Sequence, residues 1–142
     1  PEALFVDVVN EPLTNGGALG EQAMGESYID IAFHEARQWT RATLVLNEYG
    51  LEWDVRRQYD MLALLQRLKA RGVPVDALGS ESHLGQVPHR PFGHFVRQVQ
   101  ALGIEVLVTE LDVAGTNVGS AADVYRRYLR KLRRLGVRTV QT

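Results

Sequence analysis

Four short groups of polar and ionisable residues each follow directly on an apolar run: Asn10-Glu11, Asn47-Glu48-Tyr49, Glu81-Ser82-His83 and Glu110-Leu111-Asp112. Burying a carboxylate at the mouth of an apolar interior is costly unless it is paired or hydrogen-bonded. Stability alone therefore explains four such groups poorly, and a site explains them better. Glu11 and Glu110 are its candidates for acid–base chemistry. Taken singly, Glu11 also fits the N-terminal charge of a following helix, with Pro12 as a strand stop, and Glu110 fits a rim acid paired with an arginine. Together, on the first and fourth strands, the two acids favour function. His83 ends a strand on the same rim. His34 lies within a helical stretch and reads as solvated, while His89 and His94 fall in "GQVPHRPFGH", whose irregularity its Pro and Gly explain. No HExxH or other ligand spacing occurs, so no metal is expected.

The elements that must carry these residues alternate. Apolar, β-branched runs at 4–9, 43–46 and 104–109 read as strands, as does 137–140, with a weaker one at 75–79. Helical stripes lie between them: Tyr28, Ile29, Ala32, Phe33 and Ala36; Met61, Leu62, Leu65 and Leu68; Phe95, Val96, Val99 and Leu102; Val124, Tyr128, Leu132 and Leu135. Ser120 to Asp123 has capping-box spacing, and Gly72, Gly103 and Gly136 stand where helices should end. Strict alternation implies parallel strands with right-handed crossovers, in a doubly wound sheet or a (β/α)8 barrel. A complete barrel takes about 250 residues, so on that reading these 142 residues are a fragment. The longest irregular stretches, 12–21 and 83–93, follow strands, at the end where α/β proteins keep their chemistry.

The composition excludes other partners. Sixteen basic and 17 acidic residues give a net charge of −1, which supplies no field for nucleic acid or anionic lipid. The basic residues of "YRRYLRKLRRLGVR" fall mostly off the helical stripe, as on the outer face of a packed helix. Gly16, Gly17 and Gly20 lack the Lys-Ser/Thr of a phosphate loop and read as a turn. There is no Cys, which rules out disulfides and thiol catalysis, and no apolar run approaches a membrane span. The opening Pro-Glu-Ala suggests a processed or cut chain. Trp39 is expected to pack at the end of the first helix, and Trp53 could reach core or cleft.

With both acids in view, "DVVNEP", "LNEYGLE", "RGVPVDALGSESHLG" and "VLVTELDV" resemble, in order and spacing, glycoside hydrolase family 10, the β-1,4-xylanase family. The resemblance covers nearly the whole chain. It implies an α/β fold, a (β/α)8 TIM barrel present from about strand 4 to strand 8, with residues 1–142 forming the C-terminal half of one catalytic domain. By matching motifs, Glu11 is the general acid/base and Glu110 the nucleophile. Asn10 would hydrogen-bond the sugar, and His83, supported by Asp112, would orient Glu110. Asn47 and Tyr49 match polar and aromatic positions after the fifth barrel strand. Three departures stand out: Glu81 where the family usually has Gln, Phe5 where Trp is common, and Glu48 where Asp is common. The Glu81 carboxylate is expected to raise the pKa of its neighbours or weaken substrate binding.

The implied activity is a retaining endo-β-1,4-xylanase acting on xylan or xylo-oligosaccharide without a cofactor, with no nucleic-acid or membrane partner and secreted or periplasmic. Whether the isolated fragment is itself active is left open. Two rivals stand beside it: another barrel β-1,4-glycanase such as a glucanase, and a non-catalytic carbohydrate-binding barrel. A half barrel also leaves two sheet edges and an apolar interior uncovered, so association with the missing N-terminal half, or aggregation, is expected.

Overall fold

The computed structural model describes residues 3–13, 25–114 and 118–137. In chain order the elements are β1 (Phe5–Asn10), α1 (Ser27–Trp39), β2 (Thr43–Glu48), α2 (Val55–Ala70), β3 (Ala77–Ser80), β4 (His83–Leu84), α3 (Arg90–Ala101), β5 (Glu105–Val108), β6 (Asp112–Val113) and α4 (Val118–Arg134). Four strands form one parallel sheet in the order β1-β2-β3-β5, and β4 pairs with β6 in a second, two-stranded parallel sheet. The strands thus follow one another across the sheet without reversal.

Alternation along the strands sorts the two faces. Val9, Leu44, Leu46, Leu78, Val106 and Val108 join the helices in one large core, which includes Phe33, Met61, Leu65, Phe95, Val99, Tyr128 and Leu132. Their strand neighbours Val45, Ala77 and Leu107 form a separate small cluster with Phe5, to which no helix contributes. Helices on one face and a narrow strand-only cluster on the other describe a barrel wall with its lumen, not a doubly wound sheet, which is covered on both faces. The apolar interior is less open than expected, because Val45, Ala77 and Leu107 are already buried among themselves. Among the described residues the edges β1 and β5 each pair on one side.

Local rules account for the boundaries. Asp54 caps α2 by accepting the Arg56 and Arg57 N–H groups at 2.9 and 3.0 Å. Gly72, Gly103 and Gly136 follow the ends of α2, α3 and α4 with φ between +74° and +76°, as anticipated. Arg67 and Arg71 of the α2 end reach Glu26 and Asp30 at the start of α1. Of the basic run, Arg126, Arg127, Arg130, Arg133 and Arg134 are exposed, while Tyr128 and Leu132 are buried.

Several expectations are corrected. Trp39 is 86% exposed; the stripe of buried Ile29 and Phe33 and half-buried Ala36 next falls at position 40, just past the helix, which leaves Trp39 on the flank. Helix α4 begins at Val118, two residues ahead of Ser120, so the Ser120–Asp123 pair lies inside the helix and not at its cap. The stretch 83–93 is irregular only in part: its first two residues pair as β4, and Arg90 opens α3 with a proline in the first turn. His94 therefore sits within a helix. Most of the strand expected at 137–140, and Gly16, Gly17 and Gly20, lie outside the described residues.

Candidate active site

All four polar groups reach the C-terminal rim of the sheet, and a bulge decides how the first one arrives. Asp7 pairs with Val45 and Val9 with Leu46, which leaves Val8 as an extra residue in β1. Strict alternation from Phe5 would turn Asn10 toward the helices. The extra residue reverses the parity and sets Asn10 opposite Asn47 on the lumen side. The ladder runs one step further, with the Glu11 N–H donating to the Asn47 carbonyl at 2.8 Å. Glu11 itself takes φ +49°, a left-handed conformation uncommon outside glycine. The next two strands end alike, with Glu81 N–H donating to Glu48 O and Glu110 N–H to Glu81 O, both at 3.2 Å.

Asn47 is the hub. It is 1% exposed, and its Nδ2 donates to Asn10 Oδ1 at 2.9 Å, to Glu81 Oε1 at 3.2 Å and to Glu110 Oε1 at 3.3 Å. Thr109 Oγ1 donates to its Oδ1 at 2.7 Å, which fixes the amide's orientation. Gly79 makes room for it: a Cβ at that position would fall 2.2 Å from Asn47 Oδ1 and 2.9 Å from Thr109 Cγ2.

His83 joins the other three acids. Its Nδ1 lies 3.1 Å from Asp112 Oδ1, and its Nε2 lies 3.2 Å from Glu81 Oε2 and 3.7 Å from Glu110 Oε2. The β4–β6 pairing, unforeseen in the sequence, sets His83 directly across from Asp112. Partial burial works against the imidazolium, but the Asp112 hydrogen bond and the charges of Asp112, Glu81 and Glu110 outweigh it and raise its pKa. Glu81, 3% exposed, is pushed up to about 7, first by burial and then by the charges of Glu110 and Glu11, with His83 opposing. The charges of Glu11 and Glu110 are thus both felt at Glu81. The Glu81, His83 and Glu110 donor atoms also lie within 4.8 Å of one another, close enough for a cation, but in this structure they are engaged with each other through His83.

Tyr49 and Glu48 belong to a neighbouring cluster. Glu48 accepts from Arg57 Nη1 and from Leu13 N–H, both at 2.9 Å, and Arg57 Nη2 donates to the Tyr49 hydroxyl at 2.9 Å. The Arg57 guanidinium lies 4.1 Å over the Tyr49 ring. This cluster ties down the chain just past Glu11. Trp53 packs on the core and meets His89 edge-on, with ring centroids 5.9 Å apart.

Sequence reasoning missed five residues that shape the rim. Asp7 lines a lumen cavity of about 250 Å³ with Phe5, Val45, Asn47, Thr109 and Glu110, and burial followed by the Glu110 charge raises its pKa. Its place as an acid inside an apolar strand was the available signal. Thr109 and Gly79 carried none. Glu52, buried behind the rim, stands within "LNEYGLE" without a role, and Tyr128, buried beside it, reads as a member of an apolar stripe.

The chain matches a known family. The family model for glycosyl hydrolase family 10 covers residues 2–138. The chain belongs to that family. Among its relatives, endo-1,4-beta-xylanase C of Paenibacillus barcinonensis is 35% identical over 132 residues, 76% of this chain and 12% of that protein. Endo-1,4-beta-xylanase A of Phanerodontia chrysosporium is 38% identical over 117 residues, 78% of this chain and 28% of that protein. The crystal structure of xylanase 10B from Thermotoga petrophila in complex with xylobiose superposes with a TM-score of 0.83 at 22% identity, covering 97% of this chain and 47% of that one. At that identity the likeness shows the fold, the family 10 barrel, of which this chain spans about half.

Proposed function

We propose that this family 10 chain forms the C-terminal half of a retaining endo-β-1,4-xylanase that cleaves internal bonds of xylan. The observation that carries the reading is the Asn47 hub, which gathers Asn10, Glu81 and Glu110 on one rim beside Glu11 and beside a histidine held by Asp112. The two named relatives, both endo-1,4-beta-xylanases, support it.

In this mechanism the Glu110 carboxylate attacks the anomeric carbon while Glu11 protonates the leaving oxygen, and Glu11 then takes the proton from the water that releases the glycosyl-enzyme. Such a pair stands about 5 Å apart in retaining enzymes. Asn10 hydrogen-bonds the sugar next to the scissile bond. His83, braced by Asp112, keeps Glu110 aimed. The first barrel half would complete the sugar cleft, and a polysaccharide substrate implies export from the cell.

The test is reducing-sugar release from xylan, cellulose and mannan by the chain joined to a family 10 N-terminal half. Release from xylan, abolished in Glu110→Ala and lowered about 10²–10⁴-fold in Glu11→Ala for substrates that need acid assistance, is the expected result. Wild-type rates in either variant would sink the assignment, and preferential release from cellulose would shift it to a glucanase. One observation favours a second reading, a binding barrel without turnover: His83 Nε2 sits nearer Glu81 than Glu110, at 3.2 against 3.7 Å. That protein would bind xylo-oligosaccharide and release no reducing ends.

A further inference from the structure

The segment that carries Glu81 and His83 to the rim presents its alternate residues to the helix layer, and nothing in the mechanism above uses what they meet there. Ser80 and Ser82 are fully buried. Both hydroxyls donate to Oε1 of Glu52, Ser82 at 2.9 Å, and the Ser82 hydroxyl also lies 2.8 Å from that of Tyr128. Glu52 is 2% exposed and Tyr128 0%. With the Ser82 proton given to the carboxylate, the Tyr128 hydroxyl donates to Ser82 Oγ, so two serine protons meet one buried acid and the tyrosine proton backs one of them.

This network surrounds a strained residue. Ser82 has φ +67°, which a non-glycine residue keeps only where its surroundings over-determine it. Here the side chain is held by Glu52 and Tyr128, and the carbonyl accepts the Asp112 N–H at 3.4 Å. The very next residue is His83, which begins β4 and pairs with Asp112. The turn at Ser82 is therefore where the chain leaves β3 and enters the strand that sets the imidazole.

We propose that Ser82, anchored by Glu52 and by Tyr128 from α4, is a positioning residue that holds the His83 imidazole between Asp112 and the Glu81–Glu110 pair. Glu52 takes no part at the rim; it acts by fixing the two serines that flank Glu81. The effect on turnover rests on the hydrolase reading, but the effect on His83 does not.

The test uses the full-length protein that carries this chain, with histidine labelled in the imidazole ring, as wild type, Ser82→Ala and Tyr128→Phe. His83 is assigned by its loss in His83→Gln. NMR titration follows the ring, thermal melting checks folding, and kcat and KM are measured on a xylo-oligosaccharide. With Ser82→Ala the His83 titration should move down by roughly half a pH unit as the Asp112 contact loosens. The value of kcat should fall roughly tenfold with KM nearly unchanged. Tyr128→Phe should move both in the same direction by less. A folded Ser82→Ala with wild-type titration and kcat would overturn the proposal. If Ser82→Ala does not fold, Tyr128→Phe decides: a lowered melting temperature with an unmoved His83 titration would make the network structural filling and overturn it as well. A shifted titration in protein that releases no sugar at all would support the proposal while removing the hydrolase reading.

Discussion

Two buried carboxylates sit at the ends of neighbouring strands and are held in opposite ways. Glu48, fully buried, faces Arg57 at 2.9 Å and accepts N–H groups from Leu13 and Tyr49. Burial raises its pKa, but the Leu13 N–H, the Arg57 charge and the Tyr49 N–H all oppose the rise. Among the described residues Glu81 meets no such fixed cation; its charged neighbours are two acids and a histidine, and it is pushed up to about 7. A permanent guanidinium makes the first acid a fastening for the loop after Glu11. A titratable partner leaves the second one able to gain or lose a proton near neutrality, which belongs to a site and not to a scaffold.

The comparison breaks most sharply at Arg57. Replacing it with Met leaves Glu48 buried and unpaired, and should cost about 3–5 kcal/mol of stability in urea denaturation. Replacing both partners, Arg57→Met with Glu48→Gln, should cost clearly less, because no uncompensated charge remains. Equal losses in the single and double variants would mean that Glu48 is not held by charge.

Glu81→Gln probes the other side. A carboxyl whose pKa rises from 4.5 to about 7 on folding binds more protons in the folded state. Its contribution is fully present below 4.5 and is lost as pH climbs through about 7. His83, also raised, acts with the same sign from its ordinary value upward. The wild type should therefore lose stability from pH 5 to 8, on the order of 2 kcal/mol, and Glu81→Gln should flatten most of that slope. Identical pH profiles for the two proteins would show that Glu81 titrates alike in both states. A smaller effect sharpens the Glu48 side: Tyr49→Phe removes one hydrogen bond to Arg57 but keeps the stacked ring, and should cost roughly 1 kcal/mol at constant pH.

The sequence made this contrast only half legible. The order of strands and helices followed from period and from glycines such as Gly72, because both are local. The rim was legible too, since Asn10, Glu11, Asn47, Glu81, His83, Glu110 and Asp112 each end an apolar run and parallel strands bring those ends together. What separates Glu48 from Glu81 was not. Glu48 closes β2 and Glu81 comes just after β3, so alternation in two strands of different length sets the side each one faces, while the bulge at Val8 and the left-handed turns at Glu11 and Ser82 reset the parity for Asn10 and His83. Those features come from contacts distant in sequence, such as Tyr128 with Ser82, 46 positions apart. Trp39 failed for a simpler reason, because size suggested burial where helix phase denied it.

Arg56 supplies the smallest and most discriminating prediction. It is the chain neighbour of Arg57 on the first turn of α2, and it also pairs with an acid: its Nε lies 2.9 Å from Asp60 Oδ2, one helical turn on. In bond length the two pairs are alike. Yet the Arg56 side chain is 84% exposed and Asp60 47%, against 11% and 0% for Arg57 and Glu48. In water the Coulomb gain of such a pair is largely cancelled by solvation and by the entropy of fixing two side chains, so Arg56→Ala should change stability by no more than about 0.5 kcal/mol, and less at high salt. Adjacent arginines with equal contact distances would then differ several-fold in effect, and burial of the partner carboxylate would be the variable that separates them. A loss at Arg56 as large as that at Arg57 would instead locate the cost in the first turn of α2, where both residues donate their backbone N–H groups to Asp54, and would remove the buried-charge argument from Glu48.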